Sequence, residues 1–446
     1  MQVYKFGGTS VGSPQLIKSV KDIIDDDIEK IVVLSANGKI TDKLVNLSYS
    51  FQNRDLDSAR LIQHEIKKYY LELYSGLFDT VFYSEKASTF LVGVFNQIDE
   101  IDIENYTRED HNWLLSRGEI ISTNIFSLFL QENNIENATI PSLEIIQKNI
   151  DEQINAAQVA GRLNSFISNH DETDLFITQG FICSNYNGSV DNLGRGGSDY
   201  TASLLGQACN ASVIQIWSDV DGFLNNDPGY IRNSKSLEYL SFDEAAELAY
   251  FGARVLHPTT LIPAKQSGIP VLLKNTHNPL SKGTVISDRI QSGEIKAVAA
   301  KDGIISITIH SGRMLMAYGF LAGVFRVFEK YKTPVDMVTT SEVSVAVTID
   351  NASRLDKIID ELDKMGQVET TQNLSIVCIV GDNLTENQGN VSQIFSSLEN
   401  IEIRMISYGA AKNSISILVD SHRKIRTLKA LNNLLPHHKT KNFSHV

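Results

Sequence analysis

"VYKFGGTS", residues 3–10, is a short apolar strand with a lysine one residue from its end, running straight into two glycines and two hydroxyls. Lys5 falls near the carboxyl end of that strand, the edge at which open α/β sheets hold ligands. Gly7 and Gly8 let backbone N–H groups approach an oxyanion closely, and Lys5 adds a point charge. The spacing is not the GxxxxGK[ST] of the common nucleotide loop. A tight βα turn with a solvent-facing lysine is the competing reading.

The strands around this stretch supply its context. Up to about residue 300, β-branched runs alternate with helical patterns: "EKIVVLSA" (29–36), "DLFITQGFI" (174–182), "VIQIWSD" (213–219) and "IPVLLKN" (269–275). Such continuous apolar runs predict parallel strands covered on both faces, and therefore an α/β sandwich over residues 1–295. Ser13-Pro14 before "QLIKSVKDII" predicts an N-cap with proline at the first helical position, and "SFDE" (241–244) has capping-box spacing. Long helical patterns between about 50 and 170 are expected to line one side of a cleft.

Beyond residue 300 the pattern changes. "PVDMVTTSEVSVAVTID" (334–350) and "IEIRMISYGAAKNSISILVD" (401–420) align with Asp350 and Asp420 as equivalent ends, each flanked by helical stretches. This internal repeat of β-α-β-β-α order predicts two ferredoxin-like modules, 300–370 and 371–446, with strand exchange between them left open.

Composition narrows the functional classes. The formal net charge of -13 disfavours a nucleic-acid or anionic-membrane surface, so cations inside a cleft carry information. Cys183, Cys209 and Cys378 are isolated and have no metal-ligand spacing, which points to a reducing, cytoplasmic setting. No signal peptide or membrane span is read. The run "DDD" (25–27) reads as a solvated loop, His257 as a helix-end residue, and His437, His438 and His445 as part of a polar tail.

A second glycine-rich stretch, "LGRGGSDYTASLLGQAC" (193–209), puts Arg195, two glycines, Ser198 and Asp199 directly before a helical run. Backbone amides and the positive end of a helix dipole would face whatever binds there, and an arginine suits a carboxylate or phosphate. An ordinary helix capped by Ser198 or Asp199 is the alternative. Two such loops in one sheet domain favour a site holding two anions.

"KFGGTSVG", "SRGE" (116–119), "LGRGGSDYTA", "WSDVDG" (217–222) and "FGARVLHP" (251–258), in this order and followed by paired modules, resemble the aspartate kinases of the amino acid kinase family. The resemblance covers essentially the whole chain. It implies an amino acid kinase-like α/β sandwich followed by two ACT modules, and ATP- and Mg2+-dependent phosphorylation of the β-carboxylate of L-aspartate. It further implies Lys5 and Asp199 as catalytic residues, and Ser35, Thr41, Glu119, Phe181, Arg195 and Ser198 around aspartate. Within that set, Arg195 takes the α-carboxylate and Glu119 the α-ammonium. For the nucleotide it implies Lys5, Gly7, Gly8, Ser218, Asp219, Leu224, Arg254 and Val255; no protein ligand for the metal is assigned. Three positions depart from the family pattern: Leu224 stands for a common tyrosine, Gly229 for an arginine and Arg254 for a lysine.

In the modules, "RMLMAYGFLAGVF" and "VDMVTTSEVSV" resemble the lysine site of lysine-sensitive members, implicating Met314, Val335, Asp336, Ser341 and Glu342, with Ala317 where a serine is common. Threonine is the alternative effector, and a homodimer or tetramer is implied. A kinase of a related carboxylate such as glutamate, and a catalytically silent amino-acid sensor, are the competing functions.

Overall fold

A computed structural model describes residues 1–252, 256–288, 294–314 and 318–436. The chain forms two compact units. One comprises Met1–Phe223, Glu238–Phe242 and Val255–Asp288, the other Leu224–Leu237, Asp243–Arg254 and Arg289–Val446.

The first unit is built on an eight-stranded sheet, in spatial order Ala138–Ile140, Leu175–Gln179, Lys30–Leu34, Gln2–Phe6, Ile214–Ser218, Val271–Asn275, Thr284–Ile286 and Tyr239–Leu240. The six strands from Ala138–Ile140 to Val271–Asn275 are parallel neighbours, so their carboxyl ends share one edge. Lys30–Leu34 and Leu175–Gln179 are buried at every position, which is why both read as unbroken apolar runs.

Alternation sets what each strand residue meets. Tyr4 and Phe6 enter a core with Ile17 and Val20 of the Pro14–Ile24 helix, Tyr70 of Leu56–Leu77, Phe95 of Val81–Asp99 and Phe126 of Arg108–Glu132. The long helical patterns thus cover one face of the sheet. Lys5 alternates to the other face, where the Gly197–Ala208 helix packs on its strand. Ser13 caps Pro14–Ile24 as its sequence predicts, its Oγ accepting from the Leu16 N–H at 3.3 Å.

"DLFITQGFI" does not run as one strand. It ends at Gln179, turns through Gly180 and Phe181, and resumes as Ile182–Ser184 in a separate ribbon. Phe181 holds a left-handed φ of 68°, a conformation costly for an aromatic residue and one that local propensity does not foresee.

The second unit carries a six-stranded antiparallel sheet in the order Val338–Thr340, Ser344–Ile349, Ile295–His310, Gln367–Gly381, Ser414–Asp420 and Met405–Ser407. Its two central strands are long. Residues 305–310 of Ile295–His310 pair with Ser344–Ile349, whereas 295–301 lie against 376–381 of Gln367–Gly381, which also pairs with Ser414–Asp420. Two apolar clusters result, one around Ile307, Val324, Phe328 and Ile358, the other around Ile379, Ile394, Ile417 and Leu428. Among the described residues no helix is long and apolar enough to cross a membrane.

Candidate functional site

Because the strands are parallel, the segments leaving Gln179, Leu34, Phe6 and Ser218 emerge in that order along one edge of the sheet. These segments carry Phe181, Ser35, Gly7 with Gly8, and Asp219. The two glycine-rich stretches meet at this edge. Lys5 Nζ forms an ion pair with Asp199 Oδ1 at 2.7 Å, both side chains mostly buried. Next to them Ser35 Oγ donates to Ser198 Oγ at 2.9 Å.

Gly8 is wedged under the neighbouring turn, since a Cβ there would lie 2.7 Å from the Ala36 carbonyl oxygen and 2.8 Å from that of Gly38. Gly196 is constrained twice over. Its φ is 71°, and a Cβ would sit 2.8 Å from Cβ of His257 and 2.9 Å from Cγ2 of Thr260. His257, which by sequence ends a helix, in fact walls this loop and bonds Thr259 Oγ1 through Nδ1 at 2.7 Å. Arg195 projects from the same loop, exposed and in no ion pair among the described residues.

Glu119 is the most unusual group in the unit. It sits in the middle of Arg108–Glu132 and is 2% exposed. Oε1 accepts from the Ala36 N–H at 3.3 Å, and Oε2 has no partner among the described residues. Burial pushes its carboxyl up to about 8, against a small lowering by the Ala36 amide. A raised carboxyl binds more protons folded than unfolded, so this contribution to stability is full below the ordinary value near 4.5 and declines as pH rises towards 8. A fold that keeps a carboxyl oxygen buried and unpaired gives up stability at that position.

A network that no motif announced fixes the root of the Arg195 loop. Lys148 Nζ pairs with Asp191 Oδ2 at 2.7 Å and donates to the Asn192 carbonyl at 2.8 Å. Asn112 Nδ2 donates to Asp191 Oδ1 at 3.0 Å, and Asn192 Nδ2 returns a bond to Asn112 Oδ1 at 2.9 Å. Arg117, inside "SRGE", is also buried. It stacks over Trp113 at 4.2 Å, and burial lowers its guanidinium to about 10.

The remaining positions divide. Thr41 opens the Ile40–Gln52 helix and is half-buried. The Gly7 N–H donates to Trp217 O at 3.3 Å, tying the first glycine turn to the strand that ends in Ser218. Ser218 Oγ accepts from Val220 N–H at 3.4 Å, and Asp219 is exposed. Leu224 belongs to the second unit, where it bridges Ser236; Gly229 there donates its N–H to Asp227 Oδ1 at 2.8 Å. Arg254, Val255 and Ala317, with His437, His438 and His445, lie outside the described residues.

In the second unit, Met314, Ser341 and Glu342 share one end of the sheet, because Ser311 N–H donates to Val343 O at 2.9 Å and Ser341 Oγ meets Ser344 Oγ at 2.8 Å. Val335 and Asp336 are at the other end, where the Asp336 N–H donates to Thr348 O at 2.8 Å. Four residues, three of them in the Val338–Thr340 strand, lie between Asp336 and Ser341, so an extended chain spans about 16 Å from one to the other. Asp336 is engaged on one oxygen by Lys301 at 2.9 Å and by the Tyr250 hydroxyl, while its Oδ2 is buried without a partner among the described residues.

Comparison with known proteins finds matches along most of the chain. A model of the amino acid kinase family matches residues 1–275, and one of the ACT domain matches residues 377–435. The lysine-sensitive aspartokinase 3 of Escherichia coli (strain K12) is 33% identical over 448 residues, covering 94% of this chain and 95% of that protein. The chloroplastic aspartokinase 2 of Arabidopsis thaliana is 34% identical, covering 96% of this chain and 83% of that protein. Among solved structures, E. coli aspartokinase III in complex with aspartate and ADP (R-state) superposes with a TM-score of 0.82 at 31% identity, over 98% of this chain and 99% of that one. The complex of that enzyme with lysine and aspartate (T-state) gives 0.80 at 33%, over 98% and 100%.

Proposed function

Because the chain belongs to the aspartokinases of the amino acid kinase family, phosphotransferases with a carboxyl acceptor, we propose that it transfers the γ-phosphoryl group of ATP to the β-carboxylate of L-aspartate, giving 4-phospho-L-aspartate, the first step of lysine, threonine and methionine synthesis. The observation that carries this reading is the buried, half-satisfied Glu119 beside a loop bearing the free Arg195, in a site closed by the Lys5–Asp199 pair. Glu119 Oε2 receives the substrate ammonium and Arg195 its α-carboxylate, which leaves the second carboxylate to react. That carboxylate has an ordinary pKa near 4 and needs no general base. Positioning and charge do the work: Lys5, held by Asp199, lies where charge accumulates on the transferred group. Ser35, Ser198, Thr41 and Phe181 shape the acceptor pocket, and Gly7, Gly8, Ser218 and Asp219 hold the nucleotide phosphates.

A magnesium ion fits this chemistry as a partner of the nucleotide. No three His, Cys, Asp or Glu side chains cluster among the described residues, so it would be held largely by phosphate oxygens, with Asp219 available as a carboxylate. When bound it neutralises phosphate charge. Hydroxylamine trapping tests the product: aspartyl hydroxamate should form with ATP and L-aspartate, and its absence would overturn the reaction.

Glu119 also gives the reaction a pH signature. Protonated in the empty site at pH 7, it must ionise to hold an ammonium, so aspartate binding should release close to one proton there. Apparent affinity should rise about tenfold per pH unit towards 8 and level off above it. Calorimetry in buffers of different ionisation enthalpy checks this; no proton release would mean that Glu119 does not receive the ammonium.

Lysine is the proposed effector. Met314, Ser341 and Glu342 stand at one end of the sheet and Val335 and Asp336 at the other, an arrangement that supports a lysine site shared between two copies in a homo-oligomer. Millimolar L-lysine should inhibit, Glu342→Ala should abolish inhibition without lowering basal kcat, and Ala317→Ser should strengthen it by about fivefold, the equivalent of one hydrogen bond near 1 kcal/mol. A flat lysine titration beside a falling threonine titration would reassign the effector.

A further inference from the structure

The second unit contains a cleft of about 500 Å³ between the end of the Phe320–Lys330 helix and the start of the Leu355–Leu362 helix. Three cations from two segments line it: Lys332, Arg354 and Lys357. None makes an ion pair among the described residues, in a chain whose 53 acidic residues outnumber its 40 basic ones. A fourth cation in the lining, Lys330, is neutralised by Glu361, whose same oxygen also accepts from the Tyr331 hydroxyl at 2.8 Å. The acidic Asp356 is not among the lining residues.

Polar groups complete the lining. Thr333, Asn351 and Ser353 supply two hydroxyls and an amide, and Arg354, the N-cap of Leu355–Leu362, offers no side-chain bond to the first-turn amides. Lys332 holds a left-handed φ of 48°, a position that asparagine or glycine occupies with less strain, yet a cation stands there. Uncompensated positive charge gathered in a concavity of a strongly acidic protein is stable only at the cost of mutual repulsion, which an anion removes.

We propose that this cleft binds a multiply charged phosphoryl anion, either inorganic pyrophosphate or the phosphate groups of a phosphorylated metabolite. The arginine can take two phosphate oxygens at once, and the two lysines balance the remaining charge. The volume exceeds what a single orthophosphate fills. Of the groups assigned to an amino-acid effector, Met314, Ser341 and Glu342 lie at the opposite end of the sheet, whereas Val335 and Asp336 stand at this end, two and three residues beyond Thr333, and neither lines the cleft.

Isothermal titration of the full-length protein with pyrophosphate, in parallel with the Arg354→Ser/Lys357→Ser variant, tests the assignment. The wild type should show a binding component that the variant weakens at least tenfold, while kcat and the KM for ATP stay unchanged. A conservative Arg354→Lys/Lys357→Arg variant should retain most of that component, excluding a folding defect as the cause. Identical isotherms for wild type and the serine variant would overturn the proposal, because all the anion would then bind elsewhere. Citrate binding as tightly as pyrophosphate would overturn the phosphoryl class.

Discussion

Lys5→Met is expected to lower kcat at least about 100-fold with little change in the KM for aspartate. The strand side chain is mostly buried, its ammonium is fixed by Asp199 at 2.7 Å, and no other cation is paired with that carboxylate among the described residues. A preorganised charge aimed at a transition state is worth roughly 3 kcal/mol, and methionine keeps the volume while removing it. Asp199 is left buried with its partner gone, so some stability should be lost as well. Single-turnover rates separate the two effects, since a folding defect would reduce the amplitude and not the rate of the active fraction. Near-wild-type turnover would remove Lys5 from the mechanism.

Glu119→Ala should raise the KM for aspartate by 10- to 100-fold, on the scale of a lost charge-assisted hydrogen bond of about 1.5–3 kcal/mol, and leave the KM for ATP within about twofold. The same change should not destabilise the free protein in proportion. Glu119 is held nearly dry with one oxygen unsatisfied, and Glu119→Gln, which keeps the Ala36 bond and need not take up a proton to be buried, should raise the melting temperature while still impairing aspartate. Improved stability with impaired binding is the mark of a binding residue. Equal effects on both substrates would misplace it.

Much of the site was legible because its parts are local in sequence. Lys5 with Gly7 and Gly8, and Arg195 with Ser198 and Asp199, are motifs in which glycine, cation and helix start fall within a few residues, and parallel strands read as unbroken apolar runs. What escaped the sequence depends on tertiary convergence. Lys148, Asp191 and Asn112 come from three distant segments and form a buried network with no spacing to betray it. Gly180 and Phe181 interrupt a run with strong strand propensity, because the chain must turn over Ser198: a Cβ on Gly180 would lie 2.6 Å from the Ser198 side chain. Asp336 enters the sequence reading only as an acid that the resemblance implicates in effector binding, yet Lys301 and Tyr250 already hold one of its oxygens. The two long central strands of the second unit serve neighbours on both sides, and a repeat in the sequence cannot say which half pairs with which.

If Glu119 and Arg195 hold the two poles of an amino acid, its second carboxylate is the group presented to ATP. ADP release measured side by side with L-aspartate, L-glutamate and no acceptor tests it most directly. Release should be fast with aspartate, at least about 100-fold slower with glutamate, whose extra methylene misplaces the reacting oxygen, and at background without an acceptor. Equal or faster release with glutamate, or release that no acceptor accelerates, would contradict it.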